Sequence, residues 1–187
     1  IEDYDIKLVG GDITYGELNI CVNVFGYPFN EVLLRSKAKP NDLIYITGTL
    51  GKGRKGLSDW KNNKTSKFLS DYFRPKVHFK KSKYISNLAS SCIDISDGLI
   101  KDLNRICKAS NVGARISSEL IPTVDDIHDL SYGDDYELCF TCPEKYKKDL
   151  NQNDYIQIGV ITNGSNVELL KENKVLDFNK KGWDSFS

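Results

Sequence analysis

The chain has 187 residues, 40% of them apolar and 28% charged, with Lys plus Arg and Asp plus Glu balanced at 26 each. A chain this long buries about 70% of its unfolded surface, so it needs no disulfide staples, and a net charge of zero gives no global field to draw nucleic acid or an anionic membrane. No apolar run approaches the roughly 20 residues that span a bilayer, no signal peptide opens the sequence, and Met is absent even at position 1, so "IEDYDIKLVGGD" reads as the middle of a domain.

In chain order, residues 6–9 predict a short strand that ends in Gly10-Gly11-Asp12. Leu18, Ile20, Val22 and Val24 alternate with polar residues, the period of a half-buried strand. Gly26 and Pro28 then mark a boundary in the region 26–34. After the turn Pro40-Asn41-Asp42, "LIYIT" (43–47) predicts a buried strand, followed by a turn rich in glycine (Gly48, Gly51, Gly53). Residues 54–60, 64–73 and 76–88 read as helices. The strand 91–95 runs into a helix from Gly98 whose apolar face carries Leu99, Leu103, Ile106 and Cys107. Residues 113–117 and 135–141 read as strands, a polar helix follows Pro143, and turns at Asn163-Gly164 and Asn173-Lys174 predict a meander of three short strands from 155. Helices and strands mix without strict βαβ alternation, which predicts the α+β class.

The five cysteines, Cys21, Cys92, Cys107, Cys139 and Cys142, are odd in number and lie within apolar segments, which fits reduced core thiols and a cytoplasmic setting. Cys139 and Cys142 form a C-x-x-C, but positions three apart on a strand face opposite ways and no second ligand pair lies nearby.

Two acids bracket a serine where the strand 91–95 gives way to the helix, in Asp94-Ile95-Ser96-Asp97-Gly98. Ser96 or Asp97 could cap the helix. Capping leaves Asp94 unexplained, because an unpaired charge inside an apolar run costs several kcal/mol, on the order of a buried-ion penalty. A divalent cation removes that cost, since Mg²⁺ takes carboxylate oxygens together with substrate phosphates, and a helix N-terminus favours phosphate. Gly10-Gly11-Asp12 repeats the design of a carboxylate at a strand exit, although Gly-Gly-Asp is also a common turn. Gly133-Asp134-Asp135-Tyr136-Glu137 reads as a solvated turn unless a cation bridges its acids. Arg35 is either a surface residue or a bidentate phosphate clamp. "TGTLGKG" lacks Walker spacing and reads as a strand-to-helix turn, and His78 and His128 read as surface residues.

Taken in order, "LVGGDIT", "LLRSKAKPNDLIYITGTLG", "FRP", "CIDISDGLIKDLNRICKASNVGARI", "GDDYELCFTCP", "IGVIT" and "GWDSF" resemble the thiamine-monophosphate kinases, of the superfamily that includes aminoimidazole ribonucleotide synthetase. The resemblance spans nearly the whole chain and rests most on D-I-S-D-G-L followed by G-x-D-Y-E-L. It implies ATP-dependent phosphorylation of thiamine monophosphate to thiamine diphosphate with Mg²⁺, and homodimers formed through an amino-terminal domain. It also implies that Gly11 and Asp12 lie at ATP and magnesium, that Arg35 contacts ATP, and that Asp94 and Asp97 hold magnesium with Ser96 at the nucleotide phosphates. Asp134 and Trp183 would contact the thiamine moiety, although the family usually has Glu at the position of Asp134.

The amino-terminal acidic motifs of that family are absent from these 187 residues. Residues 1–34 are accordingly expected to be the end of an amino-terminal ATP-binding domain and 35–187 a carboxy-terminal domain, inactive alone. The rivals are another ATP-using superfamily member, such as a selenophosphate or aminoimidazole ribonucleotide synthetase, and a non-catalytic nucleotide- or thiamine-binding relic. "GWDSF" and "GDDYEL" favour the kinase over the other synthetases.

Overall fold

The strand β1 (Leu43–Ile46) is apolar at every position, and a computed structural model, which describes residues 6–178 and 182–183, buries all four of its residues. Alternation along the pleat sends Ile44 and Ile46 to one face of a sheet and Leu43 and Tyr45 to the other. β1 pairs antiparallel with β4 (Leu138–Cys142) on one side and with β5 (Ile156–Thr162) on the other. β2 (Ser91–Asp94) lies outside β4, and β3 (Gly113–Ser117) lies outside β5. β6 (Val167–Lys171) joins β3 in parallel and carries the short β7 (Lys174–Val175) at the edge. Among the described residues this gives the order β2-β4-β1-β5-β3-β6-β7, a mixed sheet of the expected α+β class.

The sheet is packed on both faces. On one, α4 (Leu99–Ser110) presses Leu99, Leu103, Ile106 and Cys107 against Ile44, Ile46, Ile93 and Cys139, the stripe read from the sequence. On the other, Ile85 of α3 (Phe79–Ile85) joins Leu43, Tyr45, Phe140 and Cys142. Each buried Leu, Ile or Phe is worth about 1.5–3 kcal/mol against exposure, so α4 is held on the sheet mainly by this stripe. Cys139 and Cys142 thus belong to opposite faces, as their spacing requires. α1 (Lys52–Lys61) and α2 (Phe68–Phe73) form a hairpin in which Gly56 meets the backbone of Phe68 too closely for any side chain.

Four expectations change. No helix or strand forms over residues 6–34; Leu18, Ile20, Val22 and Val24 are all exposed. An isolated strand is not stable by itself, and the described residues give this alternating stretch no neighbour. The helices expected at 64–73 and 76–88 contract to α2 and α3, and that after Pro143 tightens to a 3-10 turn, Glu144–Asp149. The meander fails between β5 and β6, because β3 inserts between them and only β6 and β7 make a hairpin. His78 is buried against Glu137, whereas His128 is exposed as expected.

Candidate active site

β2 leaves the sheet at Asp94, and the chain turns through residues 95–98 into α4. Neither Ser96 nor Asp97 caps that helix with its side chain. The work falls to Asp102, in the first turns of α4 and fully buried. One of its oxygens accepts the backbone N–H of Ser96 at 3.0 Å and of Asp97 at 2.9 Å; the other accepts from the Arg105 guanidinium, which also grips the Asp97 carboxylate. Burial pushes the Asp102 carboxyl up, while those donors pull against it. Lys101 Nζ adds a second cation 3.8 Å from Asp97.

The segment 133–137 zips onto this turn through its backbone. Asp134 N–H donates to Ser96 O at 3.1 Å, Tyr136 N–H to Ile95 O at 2.9 Å, and Ile95 N–H to Glu137 O at 2.7 Å. A Cβ on Gly133 would stand 1.9 Å from Ser96 O, so the approach requires glycine there. Asp134 and Tyr136 adopt left-handed conformations, with φ of 63° and 51°. Along this segment Asp134 and Tyr136 stay exposed, whereas Asp135 and Glu137 are drawn inward.

The inward pair grips the glycine-rich turn. Asp135 accepts the N–H groups of Gly51 at 2.8 Å and Gly53 at 3.1 Å, yet burial outweighs them and lifts its carboxyl to about 6. Glu137 accepts the Thr47 hydroxyl at 2.7 Å and meets Lys52 Nζ at 3.2 Å. His78 Nε2 stands 2.7 Å from Glu137 Oε2, and both side chains are buried. Burial alone would push Glu137 up; His78, Thr47 and Lys52 outweigh it and take it down to about 2. The first amides of α1 are therefore engaged by Asp135, and the glycine turn is a strand-to-helix turn rather than a phosphate cradle. The triple acid is half buried in function: one side faces solvent and the other anchors a loop.

Four residues singled out from the sequence meet at the 96–97 turn. The backbone N–H of Asp134 hangs on the carbonyl of Ser96, and the backbone N–H of Trp183 donates at 2.8 Å to the next carbonyl, that of Asp97. Lys101 Nζ donates to the Trp183 carbonyl, and the Trp183 side chain remains exposed. Tyr136 donates its hydroxyl to Asp134 Oδ1 at 3.4 Å. Burial raises the phenol pKa first, followed by the charges of Asp134, Asp94 and Asp97, which all act on this one ring. Asp94 is half-buried and lines, with Arg35, Ser36, Ser82 and Cys92, a cleft of about 620 Å³.

Gly11 and Asp12 are not brought to this place. Among the described residues, nothing outside its immediate chain neighbours lies within 4 Å of a Cβ built on Gly11, and the Asp12 carboxylate accepts a neighbouring N–H, that of Ile13, at 2.8 Å. Among the described residues, no group of three or more His, Cys, Asp or Glu side chains is arranged to hold a metal ion. Asp102 escaped the sequence reading, while Asp135 and Glu137 were read with Asp134 as a solvated turn and His78 as a surface residue, and all three are drawn inward instead. Asp102 did leave a signal, a lone acid at a core position of the stripe formed by Leu99, Leu103, Ile106 and Cys107.

Comparison with known proteins gives the family. The family described as AIR synthase related protein, C-terminal domain, matches residues 39–172. The thiamine-monophosphate kinase of Escherichia coli (strain K12) is 41% identical over 160 residues, which cover 75% of this chain and 49% of that protein. The thiamine-monophosphate kinase of Buchnera aphidicola subsp. Schizaphis graminum is 36% identical and is matched along 100% of this chain and 66% of its own length. A solved structure, AaThiL complexed with AMPPCP and TMP, superposes with a TM-score of 0.71 at 29% identity, covering 82% of this chain and 54% of that one. The chain spans about half the length of the E. coli relative it matches.

Proposed function

The chain belongs to the AIR synthase related family through its C-terminal domain, and from that premise we propose that the intact polypeptide transfers the γ-phosphoryl group of ATP to thiamine monophosphate, giving thiamine diphosphate. The observation that carries this reading is the shared turn. Ser96 and Asp97, assigned to phosphate and cation, offer consecutive carbonyls to Asp134 and Trp183, assigned to the thiamine moiety. Donor and acceptor residues of a phosphoryl transfer need that proximity, because the reaction depends on positioning and charge neutralisation more than on covalent help. The likeness to thiamine-monophosphate kinases, and to a structure holding AMPPCP and TMP, supports the same assignment.

In this reading Asp94 and Asp97 hold magnesium, joined by Asp12 from the amino-terminal segment, with Gly11 and Arg35 at ATP. Mg²⁺ binds through one or two carboxylates and takes its remaining ligands from phosphates and water; among the described residues no three His, Cys, Asp or Glu side chains converge to hold an ion, and Asp97 Oδ2 is already paired with Arg105 and Lys101, so phosphates and water would supply most of the ligands. The ion, when bound, neutralises phosphate charge. Asp102 and Arg105 hold the 96–97 turn in shape, and Ser96 meets the phosphates. An oxygen of the thiamine phosphate attacks the γ-phosphorus in line while the bond to the β-phosphate oxygen breaks; no phosphoenzyme forms.

Residues 1–34 then complete an amino-terminal domain, 35–187 form the carboxy-terminal one, and the 187 residues alone turn over little. The intact protein works as a cytoplasmic homodimer, without nucleic acid or membrane as partner. Calorimetry of the intact polypeptide with a non-hydrolysable ATP analogue, Mg²⁺ and thiamine monophosphate tests the reading. Saturable binding of thiamine monophosphate is expected, and its absence at millimolar concentration overturns the assignment.

A further inference from the structure

Tyr136 is held in a conformation that few aromatic residues adopt. Its φ of 51° lies in the left-handed region, which for a bulky side chain marks a turn, strain or function. The surroundings enforce it: its own N–H is bonded to Ile95, and the residues on either side, Asp135 and Glu137, are anchored inward on the glycine turn. The result is a ring that stays 41% exposed while its hydroxyl is tied to Asp134. A tyrosine needed only for packing would bury that ring in one of the two cores flanking the sheet, and Tyr136 belongs to neither.

Asp134 is the acid in direct contact with the ring, whereas Asp97, further off, is itself paired with Arg105 and Lys101. Asp134 bonds its hydroxyl, and Asp94 and Asp97 add their negative charge. Trp183 is fixed to the carbonyl next to the one that holds Asp134, so a second exposed aromatic residue flanks the same turn. An exposed aromatic face among carboxylates suits a cationic, flat ligand: the ring quadrupole attracts the cation, and the acids concentrate it.

We propose that Tyr136 is a further substrate-contact residue, whose ring forms a wall on which the cationic thiazolium of thiamine monophosphate stacks beside Asp134. The inference rests on the kinase reading and adds a specificity element to the same site. Stacking and cation–π attraction together make the ring worth about tenfold in substrate affinity.

The test is calorimetry of thiamine monophosphate binding to the intact polypeptide as wild type, Tyr136→Phe and Tyr136→Asn. Asn accepts left-handed backbone readily, so this variant removes the aromatic face without disturbing the segment; circular dichroism and binding of the ATP analogue check that it folds. The expected result is about a tenfold loss of thiamine monophosphate affinity in Tyr136→Asn, less than threefold in Tyr136→Phe, and unchanged affinity for the ATP analogue in both. Unchanged thiamine monophosphate affinity in Tyr136→Asn overturns the inference while leaving the kinase reading intact. Equal losses in the two variants assign the effect to the hydroxyl and overturn stacking. Failure of the wild type to bind thiamine monophosphate overturns the kinase reading itself.

Discussion

Glu137→Gln tests how the glycine turn is fastened to the candidate site. The carboxylate is buried among the Thr47 hydroxyl, Lys52 and His78, and its pKa falls from 4.5 to about 2. At about 1.4 kcal/mol per unit, that displacement corresponds to roughly 3 kcal/mol of stability at neutral pH. Breaking a buried pair by removing one partner falls in the same range, about 3–5 kcal/mol. The sign follows from the depressed value: the contribution is complete above pH 4.5, the unfolded value, and is lost as pH falls toward 2. Urea unfolding of wild type and Glu137→Gln at pH 7 should therefore differ by about 3 kcal/mol, and the difference should shrink between pH 4.5 and 2. A difference below about 1 kcal/mol at pH 7, or one that stays constant into acid, refutes the reasoning.

Two further substitutions probe the turn itself. Asp102→Ala strands the N–H groups of Ser96 and Asp97 and half of Arg105's partners, at about 1–3 kcal/mol for each unpaired group; urea unfolding should show a loss of about 3 kcal/mol, and an unshifted midpoint would mean that the turn holds without it. Gly133→Ala forces a methyl to within 1.9 Å of Ser96 O; overpacking of this kind costs about 1–3 kcal/mol, so the melting temperature should fall, and an unchanged melting temperature would disprove the close approach.

The core was legible because its signals are local. "LIYIT" and the stripe through Leu99, Leu103, Ile106 and Cys107 announce burial by apolarity and period, and both are buried as read. The 18–24 alternation is an equally clear signal, but a strand also needs a neighbour, and none comes from the described residues. The order β5-β3-β6 was invisible, because the turn at Asn163-Gly164 suggests a hairpin and only long-range packing places β3 between its arms. At the site, Ser96, Asp97, Asp134 and Trp183 were nameable one by one, yet their meeting depends on the backbone bonds of residues 95–97. His78 was misjudged for a similar reason: its partner Glu137 lies 59 positions away, beyond any local pattern.

The central claim is that the carboxylates at the exit of β2 serve a cation and the phosphates it accompanies. The most direct measurement is a magnesium titration of thiamine diphosphate formation by the intact polypeptide, wild type against Asp97→Asn, with an independent calorimetric titration of Mg²⁺ in the presence of the ATP analogue. Loss of one of the three proposed carboxylate ligands should raise the magnesium concentration for half-maximal rate, and weaken Mg²⁺ binding, by at least about tenfold. Identical magnesium dependence in the two proteins would contradict the account and leave Asp97 as no more than the partner of Arg105 and Lys101.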